Sequence, residues 1–280
     1  MLNFDRASDW IIREDRFDPD TLGKAETCFA QGNGYLGLRA ATEEKYLGET
    51  RDLLIAGTFD RVSEEEVTEL PNAADVTNIE ISLNGTRFDL TQGTIHSYSR
   101  EINLKTGLLL REVEWESPKG ERYALSFERI VSLKRLHTIA LRITVRPERD
   151  AQLRFTSGID GRMTNDGSQH FTEAQMRFYD KKYLQFAPRT VQSDIRFVFN
   201  AVHRFSVDGE DVTPESDINI VRRRMYARYP LEVKGGSTVV LEKYANVFTT
   251  RDLDAKGMDL AGLQAFYHRC GSAVFIKLMM

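Results

Sequence analysis

Cysteine is nearly absent: the 280 residues carry only Cys28 and Cys270, far apart in the chain. This excludes a disulfide scaffold and suits a reducing compartment, with two inert packed thiols as the expectation. There is no basic excess. Lys and Arg total 38 against 42 Asp and Glu, for a net charge of −4, so the chain lacks the footprint of a nucleic-acid binder and any polybasic membrane anchor. Small molecules and protein surfaces are the expected partners. No apolar run approaches the roughly 20 residues that cross a bilayer. The opening "MLNFDRASDWIIREDRFDPD" is acidic throughout and has no signal-peptide core. A cytoplasmic protein is expected. Gly/Ser linkers, low-complexity tracts and internal repeats are also missing. With 41% hydrophobic and 29% charged residues, the chain reads as one compact unit that buries a sizeable core.

Motifs that carry chemistry are equally scarce. His96, His137, His170, His203 and His268 stand about thirty or more residues apart, without the close His or Cys spacings of a zinc site. No G-x-S-x-G is present, and Cys28 beside Phe29 reads as part of a buried strand. Gly32, Gly34 and Gly37 do spell G-x-G-x-x-G, but that pattern binds a pyrophosphate only inside a strand-turn-helix unit. A long β series follows instead, so the glycines read as a strand corner needing positive φ and close backbone approach. Glu112, Glu114 and Glu116 alternate around Trp115. Three like charges in a row read as a solvated face rather than as the acid and base of glycoside chemistry. The residues assign no catalytic group, no metal ligand and no cofactor.

What is present is period two. From about Thr77 to Phe248, apolar residues alternate in run after run, as in "TNIEISLNGTRFDL", where Asn84-Gly85 signals a type I′ hairpin. Many strands with short turns predict a two-sheet antiparallel β-sandwich over residues 1–250. Leu253, Met258, Leu260, Leu263, Phe266 and Tyr267 then fall at helical spacing and predict a short C-terminal helix. The segments "SEEEVTELPNAAD" and "IDGRMTNDGSQHFTEAQMRFYDKK" fit neither period.

In order, "ETCFAQGNGYLGLRA", "LLIAGTFD", "ELPNAADVTNIEISLNGTRFDL", "REINLKTGLLLREVEWESPKGERYALSFERIVSL", "FTSGIDGRMTND" and "VFTTRD" resemble the N-terminal domain of glycoside hydrolase family 65. Its members include maltose, kojibiose, nigerose and trehalose phosphorylases. The resemblance is close from about Trp10 to Asp166 and again near Val247 to Asp252. It implies a supersandwich similar to that of galactose mutarotases. Asn33, Gly34, Tyr35 and Arg39 would serve scaffold or interface roles there, Asn33 in αL geometry and Arg39 in a buried or interface pairing. It also implies that catalysis lies in an (α/α)6 barrel. The barrel's Trp-Glu-Gly acid motif has no counterpart here, so no catalytic residue carries over.

On this reading residues 251–280 begin a helical linker toward the barrel. The complete enzyme would act on a disaccharide with inorganic phosphate as co-substrate. Leu260, Leu263, Phe266 and Tyr267 would face the barrel. In its absence they would fold back onto the sandwich or be buried in a homo-oligomer, the latter being favoured because family members dimerise. Two alternatives stay open: a mutarotase-type epimerase using His137 or His203, and a carbohydrate-binding module acting through Trp115.

Overall fold

The computed structural model describes residues 2–4, 9–253 and 256–278. Alternation builds its strands as expected. In Leu108–Glu116, Leu109, Arg111, Val113 and Trp115 point inward while Glu112 and Glu114 stay in solvent. The three glutamates are therefore the outer row of a strand, not a converging pair. At the hairpin after Ile79–Leu83, Asn84 and Gly85 both take positive φ, 47° and 77°, as a type I′ turn requires.

Among the described residues the strands form one 11-stranded antiparallel sheet and one five-stranded sheet, with a small three-stranded sheet beside them. The large sheet runs Leu2–Phe4, Ile11–Glu14, Thr94–Asn103, Leu108–Glu116, Arg122–Val131, Thr138–Pro147, Val239–Thr249, Phe197–Val207, Tyr183–Ala187 and Gln175–Tyr179, with Glu210–Val212 paired to the flank of Phe197–Val207. The five-stranded sheet runs Asp217–Val221, Arg224–Val233, Ala151–Asp160, Ile79–Leu83 and Thr86–Arg87. One core, containing Phe88, Trp115, Phe127, Phe155 and Phe205, lies between them.

Alternation fails where both faces are covered. Tyr183–Ala187 is buried at every position, and Val239–Thr249 becomes continuously buried from Lys243 onward, the signature of a strand with no solvated side. The outer cover is the C-terminal segment. The single predicted helix is instead two short helices, Leu260–Gln264 and Tyr267–Gly271, followed by a 3-10 turn, Phe275–Leu278. Leu263 and Phe266 pack on Val198 and Phe248. Cys270, Ala273, Phe275 and Leu278 pack on Ile130, Val202 and Tyr244. Tyr267 stacks on Tyr179 at 4.7 Å. Of the two expected routes, these side chains show the fold-back onto the sandwich.

Two local expectations are corrected. Cys28 is not in a buried strand: it is exposed at the end of an α-helix, Leu22–Cys28. Leu22, Ala25, Glu26 and Phe29 face inward at helical spacing, over a stretch too short for the period to stand out from strand alternation. At the glycine corner, Gly34 with φ 85° takes the left-handed position, and Asn33 is not among the residues with positive φ.

Lys243 is an unusual product of this packing. Its register partners are Leu141 and His203, its side chain is fully buried, and Nζ donates across the sandwich to the Gly158 carbonyl at 2.7 Å. Burial holds the ammonium far below the ordinary lysine range, at about 7, although Asp75 opposes the shift. An unfolded lysine titrates near 10.4, so the unfolded chain binds more protons above pH 7 and stability must rise with pH there. Wild-type stability in urea is expected to increase between pH 7 and 8.5 by up to about 1.4 kcal/mol per pH unit. Lys243→Met should be flat over that window and more stable at pH 7 by about 2 kcal/mol. A flat wild type paired with a destabilised variant would contradict this assignment.

Candidate functional site

The glycine corner is built as a fastener. Asn33 Oδ1 accepts from the backbone N–H groups of Tyr35 and Leu36, each at 3.0 Å. Its Nδ2 donates to the carbonyls of Ser132 and Leu136, each at 2.8 Å. Tyr35 donates its hydroxyl to Asp252 at 3.2 Å. Arg39 pairs with the buried Glu26 carboxylate at 3.2 Å and donates to the Gly23 carbonyl. Asn33 and Tyr35 thus tie the small sheet to the main sandwich, Arg39 ties it to the N-terminal helix, and Gly34 supplies the turn.

The other sequence candidates lie apart. Trp115 is 1% exposed, and its indole donates to the Gln92 carbonyl at 2.8 Å, so it offers no face to a sugar. His137 sits in the turn before Thr138–Pro147, packed between Tyr35 and Phe248 with Nδ1 at 2.9 Å from the Val247 carbonyl. The ring nitrogens of His203 lie 2.9 Å from the Ser157 hydroxyl and 3.0 Å from that of Tyr229. Burial, reinforced by the charge of Lys243, pushes this imidazole well below the ordinary histidine range. It borders a cleft of about 310 Å³ that also includes Lys181, Arg204 and Asp211. Asp211 is the one carboxylate lining this cleft and no glutamate lines it, so the His-Glu pair of a mutarotase is not assembled around His203 among the described residues.

A larger cleft, of about 680 Å³, opens where three loops meet: residues 45–54, 69–72 and 162–166. The last two belong to the segments that fit neither strand nor helix period. Asn72 and Asn165 stitch them together. The Asn72 amide donates to Asn165 Oδ1 at 2.7 Å, Asn165 Nδ2 donates to the Leu70 carbonyl at 2.9 Å, and Asn72 Nδ2 donates to Asp52 at 2.9 Å. Burial raises the Asp52 carboxyl above its usual range, with Arg39 opposing.

The cations on this wall are committed. Arg162 makes a two-point pair with Asp160 at 2.8 and 2.6 Å, and Lys45 reaches the same carboxylate at 3.3 Å. Burial alone would raise Asp160; Arg162 and Lys45 more than reverse it. Arg51 holds Glu49 at 2.5 Å and Asp75 at 3.4 Å. Behind Glu69, the buried His170 bridges two carboxylates: Nε2 lies 2.8 Å from Glu69 and Nδ1 3.2 Å from Asp60. Among the described residues no set of three such groups is placed to hold a metal ion, and no helix is long and apolar enough to cross a membrane.

With this geometry in place, comparison with known sequences is decisive. The sequence pattern of the glycosyl hydrolase family 65 N-terminal domain matches residues 12–268. The chain belongs to this family. The match extends past the segments that carried the resemblance, across Leu260–Gln264 and into the start of Tyr267–Gly271. Among family 65 relatives, kojibiose phosphorylase of Halothermothrix orenii is 42% identical over 90% of this chain and 32% of its own length. Kojibiose phosphorylase of Escherichia coli is 34% identical over 83% of this chain and 30% of its own. The alpha,alpha-trehalose phosphorylase of Thermoanaerobacter brockii is 29% identical over 88% and 35%. The chain thus spans about a third of the relatives it matches. A solved structure from human microbiome, provisionally assigned as a kojibiose phosphorylase, superposes on 99% of this chain and 37% of its own with a TM-score of 0.86 at 15% identity. It shares the fold.

Proposed function

We propose that the chain is the non-catalytic N-terminal domain of an inverting disaccharide phosphorylase that acts in the cytoplasm on an α-glucosidic disaccharide such as maltose or kojibiose. The observation that carries this reading is the 42% identity to a kojibiose phosphorylase over nearly the whole chain. In the complete enzyme a barrel carboxylic acid would protonate the glycosidic oxygen while inorganic phosphate, the co-substrate, attacks the anomeric carbon from the opposite face, where water would attack in inverting hydrolysis. No other cofactor is required. Residues 1–250 would supply the scaffold, contacts in a homo-oligomer and one wall of the substrate cleft, with residues 251–280 leading toward the barrel. Asn33, Gly34, Tyr35 and Arg39 would keep that scaffold rigid.

The test is a chimera in which this chain replaces the matching third of the Halothermothrix orenii enzyme. Phosphate-dependent release of β-glucose 1-phosphate from kojibiose, trehalose or maltose is expected from the chimera, and none from the 280 residues alone. Turnover by the isolated chain would overturn the division of labour.

A further inference from the structure

The 680 Å³ cleft has the size of a small-molecule site, and its polar groups are unbalanced in one direction. Lys45, Arg51 and Arg162 are each bound to carboxylates, so the wall holds little positive charge in reserve for an anion. Acceptors, in contrast, are left over. Glu49 is only 6% exposed and is gripped through Oε1 by Arg51, yet its Oε2 has no hydrogen-bond partner. That oxygen is itself closed off from the cleft, so Glu49 makes the wall polar and negative without offering a point of contact. Burial also raises the Glu49 carboxyl, with Arg51 opposing.

Glu69 is the complementary case. Its side chain is 45% exposed at the cleft, but one oxygen is anchored by His170, itself 1% exposed. His170 is fixed in turn by Asp60, which is further held by the backbone N–H groups of Gln192 and Ser193 at 3.1 and 2.8 Å. Asp60 and Glu69 also exchange both backbone hydrogen bonds at 2.9 Å, closing the base of the intervening loop. An exposed glutamate normally samples many rotamers. Here two backbone bonds and a buried imidazole hold its carboxylate in one place.

We propose that this cleft binds an uncharged, hydroxyl-rich ring, the glucosyl part of the disaccharide, with Glu69 as an oriented acceptor for its hydroxyls and His170 as the residue that positions Glu69. A ring of hydroxyls supplies donors to the exposed, oriented carboxylate of Glu69 and needs no free cation. Inorganic phosphate, an anion rich in acceptors, is the wrong chemistry for this wall. The inference deepens the phosphorylase-domain reading and rests on it only for the choice of sugar.

The experiment titrates kojibiose, trehalose, glucose and inorganic phosphate separately into the 280-residue chain by calorimetry and saturation-transfer NMR. Saturable sugar binding is expected, unaffected by phosphate. Losing a hydrogen bond to a charged group lowers affinity about tenfold or more, so Glu69→Ala should weaken binding by that factor while keeping the native β circular dichroism spectrum and a cooperative melt. Glu64→Ala, an exposed carboxylate on the same loop, should change nothing. Because His170 acts through Glu69, His170→Gln should weaken binding in the wild type but add nothing in the Glu69→Ala background, a non-additivity that a merely structural loss would not produce. Absence of saturable sugar binding, undiminished affinity in Glu69→Ala, or competition by phosphate overturns the proposal. A chimera that turns over while the isolated chain binds no sugar would sink this inference and leave the domain reading standing; sugar binding with a dead chimera would do the reverse.

Discussion

A chain ended at residue 258 is expected to melt about 10 °C lower than the full chain, corresponding to a loss of about 4 kcal/mol for a domain of this size, and to bind a hydrophobic dye in its native state. The removed residues include Leu263, Phe266, Cys270, Phe275 and Leu278, all buried against the outer face of the large sheet. Each large apolar side chain withdrawn from water contributes roughly 1.5–3 kcal/mol, much of it offset by the entropy of ordering the segment. What remains after that offset is the smaller part of the effect. The truncation also bares Val198, Val202, Tyr244 and Phe248 as one contiguous strip, and monomeric proteins seldom expose apolar patches beyond a few hundred Å². Differential scanning calorimetry with light scattering is the measurement. An unchanged melting temperature in a soluble monomer would show that the segment only rests on the sheet.

The second large effect is expected at Glu43. Among the inward-facing residues of the large sheet, Arg111 and Arg129 are buried guanidiniums under the chain that follows the glycine corner. Glu43 joins them: its Oε2 accepts from Arg111 at 3.0 Å and its Oε1 from Arg129 Nε at 3.1 Å, while Glu44 accepts a second Arg111 bond at 2.6 Å. Glu43→Gln removes one charge, leaving Arg111 with Glu44 and the buried Arg129 without its carboxylate, a change that typically costs about 3–5 kcal/mol.

The same group sets an acid limit. Burial would raise the Glu43 carboxyl, but Arg129 and Arg111 more than reverse it, to about 2. Asp75 is likewise brought to about 2 by Arg51, Lys45 and the Thr77 hydrogen bonds, against its own burial. Both folded values lie below the unfolded carboxylate range near 4. The unfolded chain therefore takes up protons first as pH falls, and the contribution present above about pH 4.5 is lost on the way down to 2. Urea titrations at pH 7, 4.5 and 3 should show this fall in the wild type and a shallower one in Glu43→Gln. Equal slopes would remove Glu43 from the account.

The strands were legible because one side of each sheet meets water. Leu108–Glu116 and the Asn84-Gly85 turn carry their geometry in consecutive residues. Where the C-terminal segment covers the outer face, the strand pattern becomes a continuous apolar run that does not say what covers it. The helix Leu22–Cys28 was hidden by its length. The site was hidden differently. Asp60, Glu69 and His170 are separated by up to 110 residues in sequence, and nothing in the text around His170 distinguishes it from the other four histidines. The one sequence signal was negative: the cleft loops come largely from the two segments that fit no periodicity, which is where binding residues on a rigid scaffold tend to lie.

The position of Val239–Thr249 has a consequence for how the chain reaches this state. It is the last strand among the described residues, yet it lies in the interior of the 11-stranded sheet, between Thr138–Pro147 and Phe197–Val207. Until it is synthesised, the large sheet can exist only as two separate halves, each with a bare inner edge. Such edges pair readily with other chains, and pairings this distant in sequence form slowly. The newly made chain is therefore most open to mispairing just before its final strand emerges from the ribosome, and insertion of that strand converts two sticky fragments into one closed body.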